Sequence, residues 1–163
     1  LKFQDYRDET GTYDRIASIE MFEAVGEKYW QPYYQKLRDC LKTGGRAGLQ
    51  IITICDRSFD IYRSRPDFIQ KYVFPGGMLP STTILSELAE KTGLTEDAPK
   101  IFGHDYARTL AEWRQRFRDK WGEIKALGFD ERFRRMWEFY LHYCEAGFRS
   151  QNIDVRQVFY QKA

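Results

Sequence analysis

The sequence is poor in the residues from which many active sites are built. Only two histidines, His104 and His142, occur among 163 residues, which leaves little material for a histidine-rich metal centre. The three cysteines, Cys40, Cys55 and Cys144, are odd in number and nowhere spaced as CxxC. That spacing excludes a disulfide framework and a cysteine zinc site, and it fits the reduced thiols of a cytosolic protein. No GxGxxG turn occurs, so the usual phosphate-cradling signature is missing from these residues. No apolar run approaches the ~20 residues that span a bilayer. No signal-peptide pattern opens the chain, which starts at Leu1 as if in mid-strand. A formal net charge of +2 implies no polyelectrolyte partner, nucleic acid included.

Aromatic residues are abundant, at 17% of the chain, which is enough for an apolar cavity as well as a core. The length suits one compact domain. Tyr13–Ile19 reads as a buried apolar strand that empties into the acidic turn Glu20-Met-Phe-Glu23. Carboxylates at the carboxyl end of a strand stand where open α/β sheets bind their ligands. Apolar positions Tyr29, Tyr33, Leu37 and Leu41 mark an amphipathic helix, which Thr43-Gly44-Gly45 is expected to end. Arg46–Ile54 is nearly continuous in apolar residues, the pattern of a strand covered on both faces, interrupted mainly by Gln50.

Residues 55–80 form an aromatic insertion of short helices closed by a Gly- and Pro-punctuated loop. Ser81 caps a helix running to Lys91, and a polar stretch follows at 95–100. A long helix then opens near His104, with Leu110, Trp113, Phe117 and Trp121 on its core side. Asp130 caps another helix, and Ile153–Gln161 alternates as a terminal strand. The order predicts an α/β fold, the second half of a doubly wound sheet closing in an antiparallel pair.

Several runs taken together resemble a known family: Asp5-Tyr-Arg-Asp8, Tyr13-Asp-Arg-Ile16, Met21-Phe-Glu-Ala-Val-Gly26, Leu41-Lys-Thr-Gly-Gly-Arg46, Asp67 to Ser81, Asp105 to Trp113, Arg132 to Met136 and Tyr143 to Arg149. In this order and spacing they are similar to the C-terminal part of the cyclopropane-fatty-acyl-phospholipid synthases. These are S-adenosylmethionine-dependent methyltransferases of the class I, Rossmann-like fold. The resemblance implies the C-terminal half of that sheet with a helical, substrate-side insertion. The chain is then one partial methyltransferase domain, without the N-terminal Gly-rich cofactor loop and inactive in isolation.

The implied reaction is methyl transfer from S-adenosylmethionine to the double bond of an unsaturated phospholipid acyl chain. A bound bicarbonate then takes a proton as the ring closes. By motif position, Glu23 and Tyr106 are the catalytic candidates, and Glu23, Gln50, Ile52 and Tyr106 surround the bicarbonate. Asp5, Tyr6 and Ile19 fall at the cofactor, and no metal is implied. The family commonly carries histidines where this chain has Ala24 and Gln50, and glutamine cannot carry a proton or a positive charge. Anion binding is therefore expected to be weaker or rearranged, which favours a methylation that stops short of the ring. A small-amine methyltransferase and a non-catalytic interaction domain are the other readings. The expected setting is cytoplasmic, peripheral at the inner membrane surface, with the edge of Tyr13–Ile19 taken up either by a second copy or by a missing N-terminal segment.

Overall fold

The computed structural model describes residues 2–163. In chain order the elements are β1 (Tyr13–Ile19), α1 (Phe22–Val25), α2 (Trp30–Asp39), β2 (Leu41–Ile54), α3 (Asp56–Ser64) and α4 (Phe68–Tyr72). There follow α5 (Thr82–Lys91), β3 (Leu94–Ile101), α6 (Gly103–Asp119), α7 (Trp121–Ala126), α8 (Glu131–Arg149) and β4 (Ile153–Lys162). The strands form one sheet in the order β1-β2-β4-β3. β1 runs parallel to β2, and β3 is antiparallel to β4, so the sheet closes in the expected antiparallel pair. Two compact units result: residues up to Ile101 together with Val155–Ala163, and Phe102–Asp154.

In the first unit, Ala47, Leu49 and Ile51 of β2 are buried while Gly48, Gln50 and Ile52 are only partly covered. β2 therefore has one sealed face and one open face, not the two sealed faces its apolar run predicts. β1 is the edge strand expected of it, but it is largely exposed where a buried strand was expected, and Ile19 at its end keeps 62% of its surface accessible. The helix before β2 ends at Asp39, and strand pairing has resumed by Leu41. Gly44 and Gly45 do not cap that helix. They sit in an irregularity of β2, where Tyr13 pairs with Leu41 but Arg15 already pairs with Arg46. Gly44 has φ +73°, and a Cβ on Gly45 would meet the Lys42 carbonyl at 2.7 Å. A bulge and a helix cap ask for the same residue, because both use left-handed backbone.

The core of this unit is aromatic. Tyr34 of α2 and Tyr160 of β4 are fully buried, with hydroxyls 2.8 Å apart that satisfy each other. Phe22 is buried among Trp30, Tyr33 and Tyr34 at centroid distances of 5.1–5.6 Å. Burial of a side chain this size contributes about 2–3 kcal/mol, and it fixes where the next residue, Glu23, can point.

In the second unit α6 and α8 pack together, burying Ala107 and Leu110 on one helix and Leu141, Cys144 and Phe148 on the other. Trp113 is not core, because it is 55% exposed. The inward stripe continues instead to Arg114, which pairs with the buried Glu145 of α8. Arg149 holds the other oxygen of Glu145 at 2.8 Å. Among the described residues, no helix is long and apolar enough to cross a membrane.

Candidate active site

The turn after β1 is shaped by two bonds to β2. Glu20 donates its amide to the Gln50 carbonyl at 2.8 Å, and its carboxylate accepts from Gln50 Nε2 at 2.8 Å. Glu20 has φ +49°, a left-handed conformation that costs a non-glycine residue of order 1 kcal/mol or more. The side-chain bond offsets part of that cost. Gln50 is held from the far side as well, since its Oε1 accepts from Gln157 Nε2 at 3.0 Å. Nothing in the local sequence links Gln50 with Gln157. The only signal was a polar residue in the alternating pattern of the terminal strand.

α1 then turns the backbone by one helical turn. Phe22 enters the aromatic cluster, and Glu23 faces the end of β2. Glu23 Oε1 accepts the Ile52 amide at 2.6 Å, a short bond of the charge-assisted kind. Glu23 Oε2 is buried and has no hydrogen-bond partner. Burial raises the carboxyl above the usual glutamate value, the Ile52 amide works against that rise, and the Glu20 charge adds to it. The Glu23 carbonyl accepts the Met78 amide at 2.9 Å, tying the insertion to this turn. A buried carboxylate with one satisfied oxygen and one open oxygen is built to take a proton or a hydrogen-bond donor.

An open groove of about 610 Å³ runs along β1, with Tyr6, Ser18, Ile19, Met21 and Tyr33 in its lining. Tyr6 lies edge-on to Tyr33 at 5.3 Å, and the Tyr33 hydroxyl donates to Ser18 Oγ at 2.7 Å. Tyr6 and Ile19 thus share one surface. Asp5 does not line that groove. Its carboxylate is taken up by Arg7, through the backbone amide and both Nε and Nη2, which holds it down at about 2. Tyr106 belongs to the second unit, near the start of α6, where its ring packs against Phe102 and Phe148 at 5.7 and 5.5 Å. The structure therefore gathers Glu20, Glu23, Gln50 and Ile52 at one strand end, with Tyr6 and Ile19 along the adjoining groove. Among the described residues, no His, Cys, Asp and Glu cluster could hold a metal ion.

Residues 1–158 match the family described as mycolic acid cyclopropane synthetase. The chain belongs to that family. It is 46% identical over 155 residues to the tuberculostearic acid methyltransferase UfaA1 of Mycobacterium tuberculosis, covering 94% of this chain and 36% of the relative. It is 38% identical over 162 residues to the cyclopropane-fatty-acyl-phospholipid synthase of Escherichia coli, covering 99% and 41%. The chain therefore spans less than half the length of these curated relatives. Among solved structures, it matches the mycolic acid cyclopropane synthase CmaA1 complexed with SAH and CTAB. That match has a TM-score of 0.86 and 28% identity, over 96% of this chain and 58% of that one. The fold is thus the mixed α/β sheet of the S-adenosylmethionine-dependent methyltransferases. A sarcosine dimethylglycine methyltransferase from Galdieria sulphuraria, at 15% identity and a TM-score of 0.81, shares the fold alone.

Proposed function

We propose that this chain supplies the substrate side of an enzyme that methylates the double bond of an unsaturated phospholipid acyl chain from S-adenosylmethionine. The observation that carries the proposal is the Glu23 carboxylate, buried, anchored on Ile52 and open at Oε2, within a family of lipid methyltransferases. The groove along β1 suits an adenosyl group: Tyr6 and Ile19 offer apolar surface, and Ser18 offers a hydroxyl fixed by Tyr33. S-adenosylmethionine, when bound, supplies an electrophilic methyl group.

The chain's own residues do the rest. Attack by an alkene leaves positive charge on the acyl chain, and the Glu23 carboxylate is a fixed counter-charge for it in a water-poor site. Proton loss from the methylated chain completes the product, and Glu23 Oε2 is the acceptor the first unit offers. Tyr106 is proposed, on the family resemblance alone, as a further hydrogen-bonding residue for the reaction. Bicarbonate fits this donor set poorly. The Ile52 amide and one Gln50 Nε2–H are given to the Glu23 and Glu20 carboxylates, whose charges repel a further anion. No step here is routed through it.

Loss of the proton from the new methyl group closes a cyclopropane, whereas loss of a proton from a neighbouring chain carbon leaves a methyl-branched alkene. Two observations favour a share of branched product: Gln50 stands where the family commonly has histidine, and a 46% identical relative is named for tuberculostearic acid methylation. The exposed β1 edge calls for a partner strand, from a second copy or from further chain. Gas chromatography and mass spectrometry of acyl methyl esters, after turnover by the protein carrying this chain, test the proposal. Acyl chains lengthened by no CH2 unit sink it.

A further inference from the structure

The insertion between β2 and α5 buries Phe59 but carries three large apolar residues on the outside. Ile61 of α3 is 69% exposed, Tyr72 of α4 is 56% exposed, and Phe74 in the following loop is 57% exposed. They do not sit on a floppy segment. Asp67 and Gln70 close a reciprocal capping box on α4, and Gln70 Nε2 holds the Gly77 carbonyl at 2.9 Å. Leu79 donates its amide to the Tyr62 hydroxyl at 3.1 Å. The platform is rigid, and its far end is the Met78 amide bonded to the Glu23 carbonyl.

Two of the cations around these residues stand without an ion pair. The acids are occupied: Asp56 binds Thr82 and Thr83, and Asp67 is the cap, which leaves Asp60 as the exposed carboxylate. Arg63 is paired with Glu27. Arg65 and Lys71 are exposed and form no salt bridge among the described residues, and the Lys71 ammonium lies 5.4 Å from the centre of the Tyr72 ring. Exposed aliphatic and aromatic side chains among free cations are what an anionic lipid surface receives. The apolar groups enter the acyl boundary, and the cations meet phosphate at the headgroups.

We propose that the insertion docks on a bilayer containing anionic phospholipid through its exposed residues Ile61, Arg65, Lys71, Tyr72 and Phe74. The proposal rests on the lipid-substrate reading above and adds to it the surface by which that substrate is reached. Docking there brings the interface to the segment that is hydrogen-bonded to Glu23, so an acyl chain leaving the bilayer meets the insertion first.

The test is co-sedimentation of the protein carrying this chain with vesicles of phosphatidylcholine, with and without phosphatidylglycerol. The native protein and two variants are compared: I61S/Y72S/F74S and R65E/K71E. Binding should require phosphatidylglycerol. Removing two surface cations should weaken it about 25-fold at low salt, roughly fivefold for each, and charge reversal by more. The apolar variant should also lose binding, and both variants should keep native turnover of detergent-dispersed phospholipid. Equal sedimentation of native and variant proteins overturns the proposal. So does a changed oligomeric state of the apolar variant, which would assign the face to a second copy. If native protein sediments as expected but transfers no methyl group to any lipid, the docking surface stands and the proposed function falls.

Discussion

Glu23 and Ile52 meet at 2.6 Å, the carboxylate of a one-turn helix accepting the amide of a strand residue 29 positions later. The bond satisfies one oxygen and leaves the other buried and open. Function and stability then pull apart at this residue. Burial has raised the Glu23 carboxyl, so the folded state holds its proton more tightly than the unfolded chain does. That contribution is fully present below the ordinary glutamate value and is lost as pH rises through the folded value. At neutral pH this carboxyl therefore contributes less to stability than it does in acid. Glu23→Gln should raise the melting temperature at pH 7, with the gain vanishing in acid, while methyl transfer falls about 10²–10⁴-fold. Thermal scans at several pH values beside an activity assay check both halves.

Gln50 is bonded to Glu20 and Gln157, and it cannot take up a proton. Gln50→His, in the protein carrying this chain, should shift the acyl product toward cyclopropane and make turnover more dependent on added bicarbonate. Mass spectrometry of the product mixture reads the shift. An unchanged ratio removes Gln50 as the determinant.

Tyr34 and Tyr160 satisfy each other in the core. Either change to Phe removes one hydroxyl and strands the other, at a cost of about 1–3 kcal/mol. The double change strands neither, and its cost should fall below the sum of the singles by about 1 kcal/mol. Denaturant titrations of the four proteins measure the coupling.

Glu145 joins α8 to α6 through Arg114 and is held on its own helix by Arg149. Burial works against its charge, but the bonds from Arg149 and Arg114 outweigh that and keep the carboxyl below the usual range. Its stabilisation is thus present above the ordinary glutamate value and lost as pH falls through the folded one. Glu145→Ala should cost roughly 3 kcal/mol, because it leaves Arg114 poorly accessible and unpaired. Unfolding followed at neutral and acid pH should show the deficit shrinking in acid.

Local patterns carried far. The apolar run of β2, the serine before α5, the aspartate before α8 and the alternation of β4 announce their elements, because caps and periodicity act within a few residues. The turn Glu20–Glu23 was legible by its place at a strand end. What failed depended on distant chain. Gly44-Gly45 reads equally as a cap or a bulge, and pairing with β1 decides between them. Trp113 looks like core by composition, but the helix face is set by the partner of Arg114, 31 residues away. β1 reads as a buried strand and is largely exposed, because the burial of an edge strand depends on chain beyond its own residues. The Gln50–Gln157 bond spans 107 positions and had no local trace.

The central claim is that Glu23 serves methyl transfer to an acyl double bond. The most direct measurement incubates the protein carrying this chain with methyl-labelled S-adenosylmethionine and unsaturated phospholipid vesicles, and follows the label into hydrolysed acyl chains. The account predicts label in acyl chains one CH2 heavier for native protein, and its near-disappearance in Glu23→Gln despite an intact fold. Label in the acyl chains at native rate with Glu23→Gln, or label only in a small amine, contradicts it.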